Sequence, residues 1–503
     1  MLENVLAPAQ VSARSDDRLL YSRDLMPLDI IRMQAGVYSG MPDEVVWPES
    51  EGQVIEVMKY AAREGIPVTV FGGGSGVAGG TTPLRGGIVM DMKRMNRIWR
   101  IDDLSLIADV EPGIVGEVFE RELNRRGYTC GHFPSSMYCS TVGGWLAARG
   151  AGQLSSKYGK AEDRVMSLRA VLADGRVIET PVAPRSATGP DWLHAIVGSE
   201  GTFAVITRAK WRLSPYPASR AFHAFHFPTL ADGINAARSV FQEGLRPAVC
   251  RLYDPVDTLI AGSGKSAVTE GPKHESMISQ LIEGLQGIFP NWPRAVLPRL
   301  MARPAPINRL LRRRAKKSRL VLMFEGANEL VEIEHGRAVR LCAANRGEDL
   351  GAGPARRWFE HRYAVSYGLS PLFDLGLFAD TIEVATRWSN LEALYNDVMD
   401  AVGRHAFVMA HFSHVYPQGC SIYFTFAAAG VDLRDRLMKY RRIWDAAMGA
   451  CLARGAAISH HHGVGMLKGA YMRGEHGDAM KIIRALKGAF DPSGILNPGK
   501  LGL

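Results

Sequence analysis

The sequence predicts an α+β protein of two domains, and three observations carry that expectation. At 503 residues the chain exceeds what one compact core supports. The first two hundred residues alternate short helical and strand patterns with glycine-rich turns, whereas after Pro215 and Pro217 the elements lengthen. The last fifty residues return to Gly-, His- and Pro-rich loops. These shifts place a first domain at 1–217, a second at 218–455 and a returning segment at 456–503.

Each element has a local reason. Val54, Ile55, Met58 and Ala61 recur at helical spacing over 53–63, and Gly65 with Pro67 ends that helix and starts a strand through Phe71. Strands are expected at 88–90, 107–110, 166–173, 176–179 and 204–207, with Ala173-Asp174-Gly175-Arg176 as a hairpin turn. In the second domain the pattern gives helices over 230–242, 390–402 and 433–452, strands over 320–324 and 421–426, and a Pro- and Arg-rich insertion over 290–318. No internal repeat or low-complexity segment interrupts them.

Sixty Lys and Arg against 51 Asp and Glu leave a net charge of +9, which suits anionic ligands or surfaces. Much of the excess is local, in Arg309, Arg312, Arg313, Arg314, Lys316, Lys317 and Arg319. Leucines interleave with the bases of 307–317, as in a membrane-surface patch or a solvated loop. No aromatics interleave and no recognition fold accompanies the patch, which disfavours nucleic acid, and no nucleic-acid partner is expected. Cys130, Cys139, Cys250, Cys342, Cys420 and Cys451 form no C-x-x-C, which argues against a disulfide scaffold or zinc site and suits a reducing cytoplasm. The start of the chain lacks a basic-then-apolar leader and no apolar run has spanning length, so a soluble or peripheral protein is expected.

Three loops carry the chemistry. Val70-Phe71-Gly72-Gly73-Gly74-Ser75-Gly76-Val77-Ala78-Gly79-Gly80 leaves a strand and leads to Thr81-Thr82-Pro83, not to a helix. It therefore does not match the nicotinamide-binding fingerprint, although Gly74, Gly76 and Gly79 fit its spacing. Loop amides without Cβ atoms in the way can still wrap a pyrophosphate. A second loop holds Pro134, Ser135, Ser136, Ser140, Thr141, Gly143 and Gly144, followed by Ala148, Gly150, Ala151 and Gly152. A third, Gly198-Ser199-Glu200-Gly201-Thr202, enters a strand through Val205 and Ile206. Taken together, three small-residue loops in one domain point to a dinucleotide.

These three loops, with Phe490-Asp491-Pro492-Ser493-Gly494-Ile495-Leu496-Asn497-Pro498-Gly499-Lys500, resemble the FAD-binding fold of the vanillyl-alcohol-oxidase class over nearly the whole chain. Gly131-His132-Phe133-Pro134, Cys250-Arg251-Leu252-Tyr253-Asp254, Ile422-Tyr423-Phe424 and Ser459-His460-His461-His462-Gly463 are similar to the alkyldihydroxyacetonephosphate synthase family, and bacterial FAD-linked oxidoreductases share several of them. The resemblance implies a two-subdomain FAD-binding (PCMH-type) domain under an α/β cap domain, with the flavin facing the cap. No histidine lies in residues 71–80, so FAD is expected to be bound non-covalently.

Within that resemblance Tyr423 is the base acting on the substrate carbon. A phenol of ordinary pKa about 10 then needs positive charge or hydrogen bonds nearby, for which Arg251 and the histidines are candidates. His460, His461 and His462 would line the flavin site and move protons; three consecutive histidines on extended chain do not converge on one metal ion, and no metal is expected. His132 stands equally as a fourth such histidine or as a satisfied histidine in a turn. One departure matters: where the family carries an Arg-Asp pair to grip the substrate phosphate, this chain has Leu369-Ser370, leaving Arg362 or Arg387 as replacements. The expected activity is exchange of the acyl chain of acyl-dihydroxyacetone phosphate for a fatty alcohol. The alternative is FAD-linked oxidation of a 2-hydroxy acid or other hydroxylated substrate, and a third reading keeps FAD as an inert ligand. Expected partners are a lipid-like or hydroxylated small molecule, an anionic membrane surface and a second copy of the chain in a homodimer.

Overall fold

The computed structural model describes residues 5–263, 301–364, 372–373 and 376–503. The chain divides into two compact units, one of Met1–Gly152, Tyr158–Tyr216 and His461–Leu503, the other of Gln153–Lys157 and Pro217–His460. Sequence patterning places these boundaries at 217 and 456; the structural division falls at Tyr216 and His461. Residues 153–157 go to the second unit because Gln153 Nε2 donates to the Arg362 carbonyl and Ser156 Oγ accepts from the Val415 amide at 2.9 Å.

In the first unit, β1 (Val11–Ser12), β2 (Glu44–Val46), β3 (Val68–Phe71) and β4 (Ile88–Asp91) form a sheet in the order β1-β2-β4-β3, with β2, β4 and β3 parallel. The helix Glu51–Glu64 begins where Ser50 Oγ accepts from the Gln53 amide, and it ends at Gly65 in the left-handed conformation. It buries Val54, Val57, Met58 and Ala61; Val57, rather than the expected Ile55, completes the fully buried stripe. A second, antiparallel sheet has β5 (Ile98–Asp102), β6 (Ile107–Val110), β8 (Val165–Val171), β9 (Val177–Glu179) and β10 (Val205–Arg212) in the order β5-β6-β10-β8-β9. The short strands β7 (Tyr128–Thr129) and β11 (Ser214–Pro215) pair apart from it. The late segment read as loops contains the helix Ala479–Phe490. Its inward residues are Met480, Ile483 and Phe490, the last stacked on Phe203 at 5.3 Å, while Ile482 and Leu486 are exposed.

The second unit is built on one seven-stranded antiparallel sheet. β12 (Ser219–Phe227), β13 (Val249–Tyr253), β14 (Ser318–Gly326), β15 (Glu348–Asp349), β16 (Leu377–Arg387), β17 (Phe407–Tyr416) and β18 (Gly419–Ala429) lie in the order β15-β12-β14-β13-β17-β18-β16. Helices pack on both faces: Trp388–Gly403 and Leu433–Ala453 on one, and on the other Pro255–Ser263 and Pro304–Arg314, against Phe407 and Met409, and Gly353–His361, against Phe222 and Arg251. Tyr395 of the helix Trp388–Gly403 lies 5.6 Å from Phe412 and 6.3 Å from Phe424 between ring centres, and Tyr440 and Trp444 of the helix Leu433–Ala453 donate to Asp380. Because side chains alternate across a strand, the residues next to those apolar anchors, Tyr423 beside Phe424 and His411 beside Phe412, emerge on the other face. Among the described residues no helix is long and apolar enough to cross a membrane.

Candidate active site

The first glycine loop fits a phosphate-bearing cofactor. Gly74 has φ +60°, a conformation that L side chains rarely adopt. A Cβ at Gly72 would strike the Thr141 hydroxyl, and one at Gly73 the Cys139 carbonyl, so the first two loops interlock only because the first is glycine. Among the described residues the amides of 73–77 donate to no protein acceptor, which leaves a run of N–H groups for an anion. The loop is braced from behind: Lys93 Nζ donates to the Gly72 carbonyl at 3.0 Å, Leu25 N to the Gly76 carbonyl at 2.8 Å, and Gly80 N to Asp24 at 3.0 Å. Val70 and Phe71 lie on β3, and Ser75 and Gly76 complete the arc.

The second loop turns on the Ser136 carbonyl, which accepts from the amides of Cys139 and Ser140, and on that of Pro134, which accepts from Met137. Ser135 lies in this turn. Ser140 Oγ takes the Trp145 indole N–H at 2.8 Å, and Thr141 caps the helix Val142–Ala147 through the Gly144 amide. The chain leaves this helix at Ala148, and Ala151 is buried. In the third loop Glu200 has φ +50° and sends its buried carboxylate to the amides of Val464 (2.5 Å) and Gly465 (2.7 Å). Burial pushes its pKa up. Gly201 packs on Val70, Thr202 Oγ1 donates to the Ser199 carbonyl, and Val205 and Ile206 open β10.

Residues of the segment 490–500, which the resemblance counts in the FAD-binding fold without a cofactor contact of their own, tie these loops together. Leu496 forms a parallel bridge with Val68, and Asn497 Nδ2 donates to the carbonyls of Gly80 (2.9 Å) and Glu200 (2.6 Å). Buried Lys500 donates to the Thr82 carbonyl. His132 is fully buried inside this unit, its ring 4.6 Å from Trp145 and 5.8 Å from Trp211. His461 and His462 belong to the same unit, with ring centres 4.5 Å apart.

The second unit presents a polar row. Register places Arg319 opposite Tyr253, Tyr253 opposite His411, His411 opposite Tyr423 and Tyr423 opposite Glu383, one residue from each of five adjacent strands on the face opposite Phe412 and Phe424. His411 stacks on Tyr423 at 4.8 Å and 22°. Arg251, two residues from Tyr253 on the same face of β13, brings Nη2 within 3.2 Å of His411 Nδ1. Burial first, then Arg251 and His414, hold His411 well below its ordinary pKa, so the ring is neutral at pH 7. It accepts at Nδ1 and carries its proton on Nε2. Tyr423 is pushed up to about 12 chiefly by burial, which outweighs the lowering from the Thr381 hydroxyl and Arg251. The phenolate that the resemblance calls for is therefore not the resting form.

Glu383, fully buried, accepts from Ser459 Oγ at 2.9 Å and from the His460 amide. His460 Nε2 lies 2.9 Å from the Tyr416 hydroxyl, and its ring stacks at 5.1 Å on His414, which sits at φ +51° in a β-bulge and bonds Ser155. The second unit thus brings together Tyr423, Arg251 and His460 of the expected set and adds His411, Tyr253, Arg319 and Glu383. The departure at Leu369 lies outside the described residues. Neither proposed replacement is aimed into the row: Arg387 bonds Ser389 at the exposed end of β16, and Arg362 folds back on the Phe359 carbonyl and ring.

Comparison with known proteins agrees with this architecture. Residues 42–181 match the FAD binding domain, and residues 216–501, more than half of the chain, match the FAD linked oxidases, C-terminal domain. The alkyldihydroxyacetonephosphate synthase of Dictyostelium discoideum is 29% identical over 488 residues, 94% of this chain and 75% of the relative. An uncharacterized FAD-linked oxidoreductase of Escherichia coli K12, YgcU, is 28% identical over 93% of this chain and 90% of its own length. A solved alkyldihydroxyacetonephosphate synthase superimposes with a TM-score of 0.78 at 26% identity, covering 99% of this chain and 83% of that one. The expected fold class and FAD are borne out. The chain belongs to the FAD-linked oxidase family and is an FAD-dependent enzyme.

Proposed function

We propose that this enzyme exchanges the acyl chain of an acyl-dihydroxyacetone phosphate for a fatty alcohol, with Tyr423 moving the substrate proton. The observation that carries the reading is the stacked pair of His411 and Tyr423 in the polar row, joined to similarity with the synthase over 94% of the chain. Bound FAD supplies an electron-poor ring able to accept an electron pair from the substrate carbon. The residues 70–76, with the turns at 134–141 and 198–202, hold it. Tyr423, uncharged at rest, gives or takes the proton at its phenolic oxygen, while neutral His411 supports the ring from beneath and Arg251 favours the phenolate as it forms. His460, fixed by Glu383 and Tyr416, carries protons onward with His461 and His462, and His132 serves by shaping the tryptophan cluster.

A second reading, FAD-linked oxidation of a 2-hydroxy acid or other hydroxylated substrate, is favoured by Leu369, where the synthase family carries its phosphate-gripping arginine. Association with an anionic membrane surface belongs to the first reading. The helix Pro304–Arg314 exposes Arg309, Leu310 and Arg313 and contains no acidic residue.

The test is anaerobic mixing of the yellow protein with palmitoyl-dihydroxyacetone phosphate, followed by hexadecanol and mass spectrometry. Ether product without lasting flavin reduction supports the exchange. No product, with bleaching by a 2-hydroxy acid or alcohol, replaces it with the oxidation.

A further inference from the structure

The polar row of the second unit is asymmetric in charge. At one end Glu383 is spent on its own chain, bonded to Ser459 and the His460 amide. At the other, Arg319 on β14 and Arg251 on β13 share a face as diagonal neighbours across Tyr253, a relation that places residues roughly 7–8 Å apart. Among the described residues neither guanidinium has an ion-pair partner. Arg251 bonds His411 and the Tyr253 side chain, Arg319 Nε bonds His226 Nε2 at 3.2 Å, and Arg251 Nε is buried without an acceptor.

Both imidazoles are held below their ordinary pKa by burial and by these same arginines, so neither supplies a counter-charge. Asp257, its carboxylate 3.9 Å from His411, is the acid that both arginines feel; burial with Asp254 pushes it up to about 7 against the lowering by Arg251 and Arg319, leaving it only partly ionised at neutrality. Arg357 adds a further positive charge to the field at Arg319. Two half-buried arginines on one face without a paired carboxylate are costly to maintain, and a planar guanidinium pair is the arrangement that grips a phosphate or carboxylate in two places.

We infer that Arg251 and Arg319 form the anion-binding pole of this face and hold the phosphate or carboxylate of the substrate, the task left open at Leu369. The inference rests on the proposed role of Tyr423, because an anion seated there lies on the same face two to three strands from that phenol. It names a side chain outside the sequence-expected site, Arg319, and it places the substrate's charged end on β13 and β14.

The test is equilibrium binding to the FAD-loaded full-length protein, read by flavin absorbance and calorimetry, with dihydroxyacetone phosphate and with glycolate as probes. Arg319→Gln is expected to weaken one of them by about tenfold or more, the loss of a hydrogen bond to a charged group. Arg319→Lys should recover part of the affinity, and Arg387→Gln should match wild type. Flavin content and thermal midpoint should not move. Loss with dihydroxyacetone phosphate assigns a phosphate, and loss with glycolate a carboxylate. Wild-type affinity in Arg319→Gln overturns the inference, as does wild-type protein that binds neither probe. If Arg319→Gln sheds its flavin, Arg319→Lys and Arg251→Lys decide by the same criterion, since they keep the charge and lose the planar fork. Binding is read without turnover. A protein that holds an anion through Arg319 yet makes no ether product therefore keeps this inference and discards the proposed exchange.

Discussion

Tyr423 and Gly73 show how much a single side chain decides. Tyr423→Phe removes one oxygen from a ring that stays stacked on His411, so FAD content should hold while turnover falls by about 10²–10⁴-fold, the range for a lost general acid or base. Colourless protein after this change would mean a folding role. The Thr381 hydroxyl lowers the phenol's pKa, so Thr381→Val should push Tyr423 above about 12 and slow turnover at pH 8; an ultraviolet difference titration reads the shift directly. At Gly73 the obstacle is a backbone carbonyl, that of Cys139, which cannot swing aside. Gly73→Val should give protein without its 450 nm absorbance, and normal flavin content would refute the interlocked-loop account.

Among elements, the ease of reading followed locality. The helix Leu230–Gln242 was legible at both ends, since Thr229 accepts from the Asp232 amide as a cap and Ile234, Ala237 and Phe241 form an inward stripe. β16 and β17 were not legible as strands: Asp380, Glu383 and His411 interrupt their apolar runs, and those polar residues are paid for by tertiary partners remote in sequence. The polar row was hidden for the same reason. Tyr423, Arg251 and His460 carried sequence motifs, but their alignment with His411 and Arg319 depends on register between strands about a hundred residues apart. The basic segment, read as an insertion, contains a helix whose Ile307 and Leu311 are buried and whose Arg312 meets Asp400 at 2.6 Å. Replacing Arg309, Arg313 and Arg314 by Gln should release the protein from anionic vesicles at about 1 kcal/mol per charge without changing flavin content, and unchanged vesicle binding would remove the membrane association.

For the molecule as a whole, buried charge behind the flavin loops sets a dependence on pH. Burial pushes Asp24 up to about 7 and Lys500 down to about 8. A carboxyl with a raised folded pKa binds its proton more tightly than in the unfolded chain, so its contribution to stability is lost as pH rises from about 4 through about 7. A lysine with a lowered folded pKa acts in the opposite sense, and stability recovers above about 8. Thermal midpoints should therefore fall between pH 5 and 7.5 in wild type and fall less in Asp24→Asn, whatever the variant's absolute stability. Parallel curves would show that Asp24 does not titrate in this window.

The pairing of Leu496 with Val68 also has a consequence in time. The amides of residues 73–77 emerge early from the ribosome, but the strand and the Asn497 amide that hold their loop arrive only after the whole second unit has been made, tens of seconds later at ~5–20 residues per second. A nascent chain stalled before residue 491 should carry a folded second unit and no flavin. Cofactor capture is thereby expected to wait until Leu496 and Asn497 have been made.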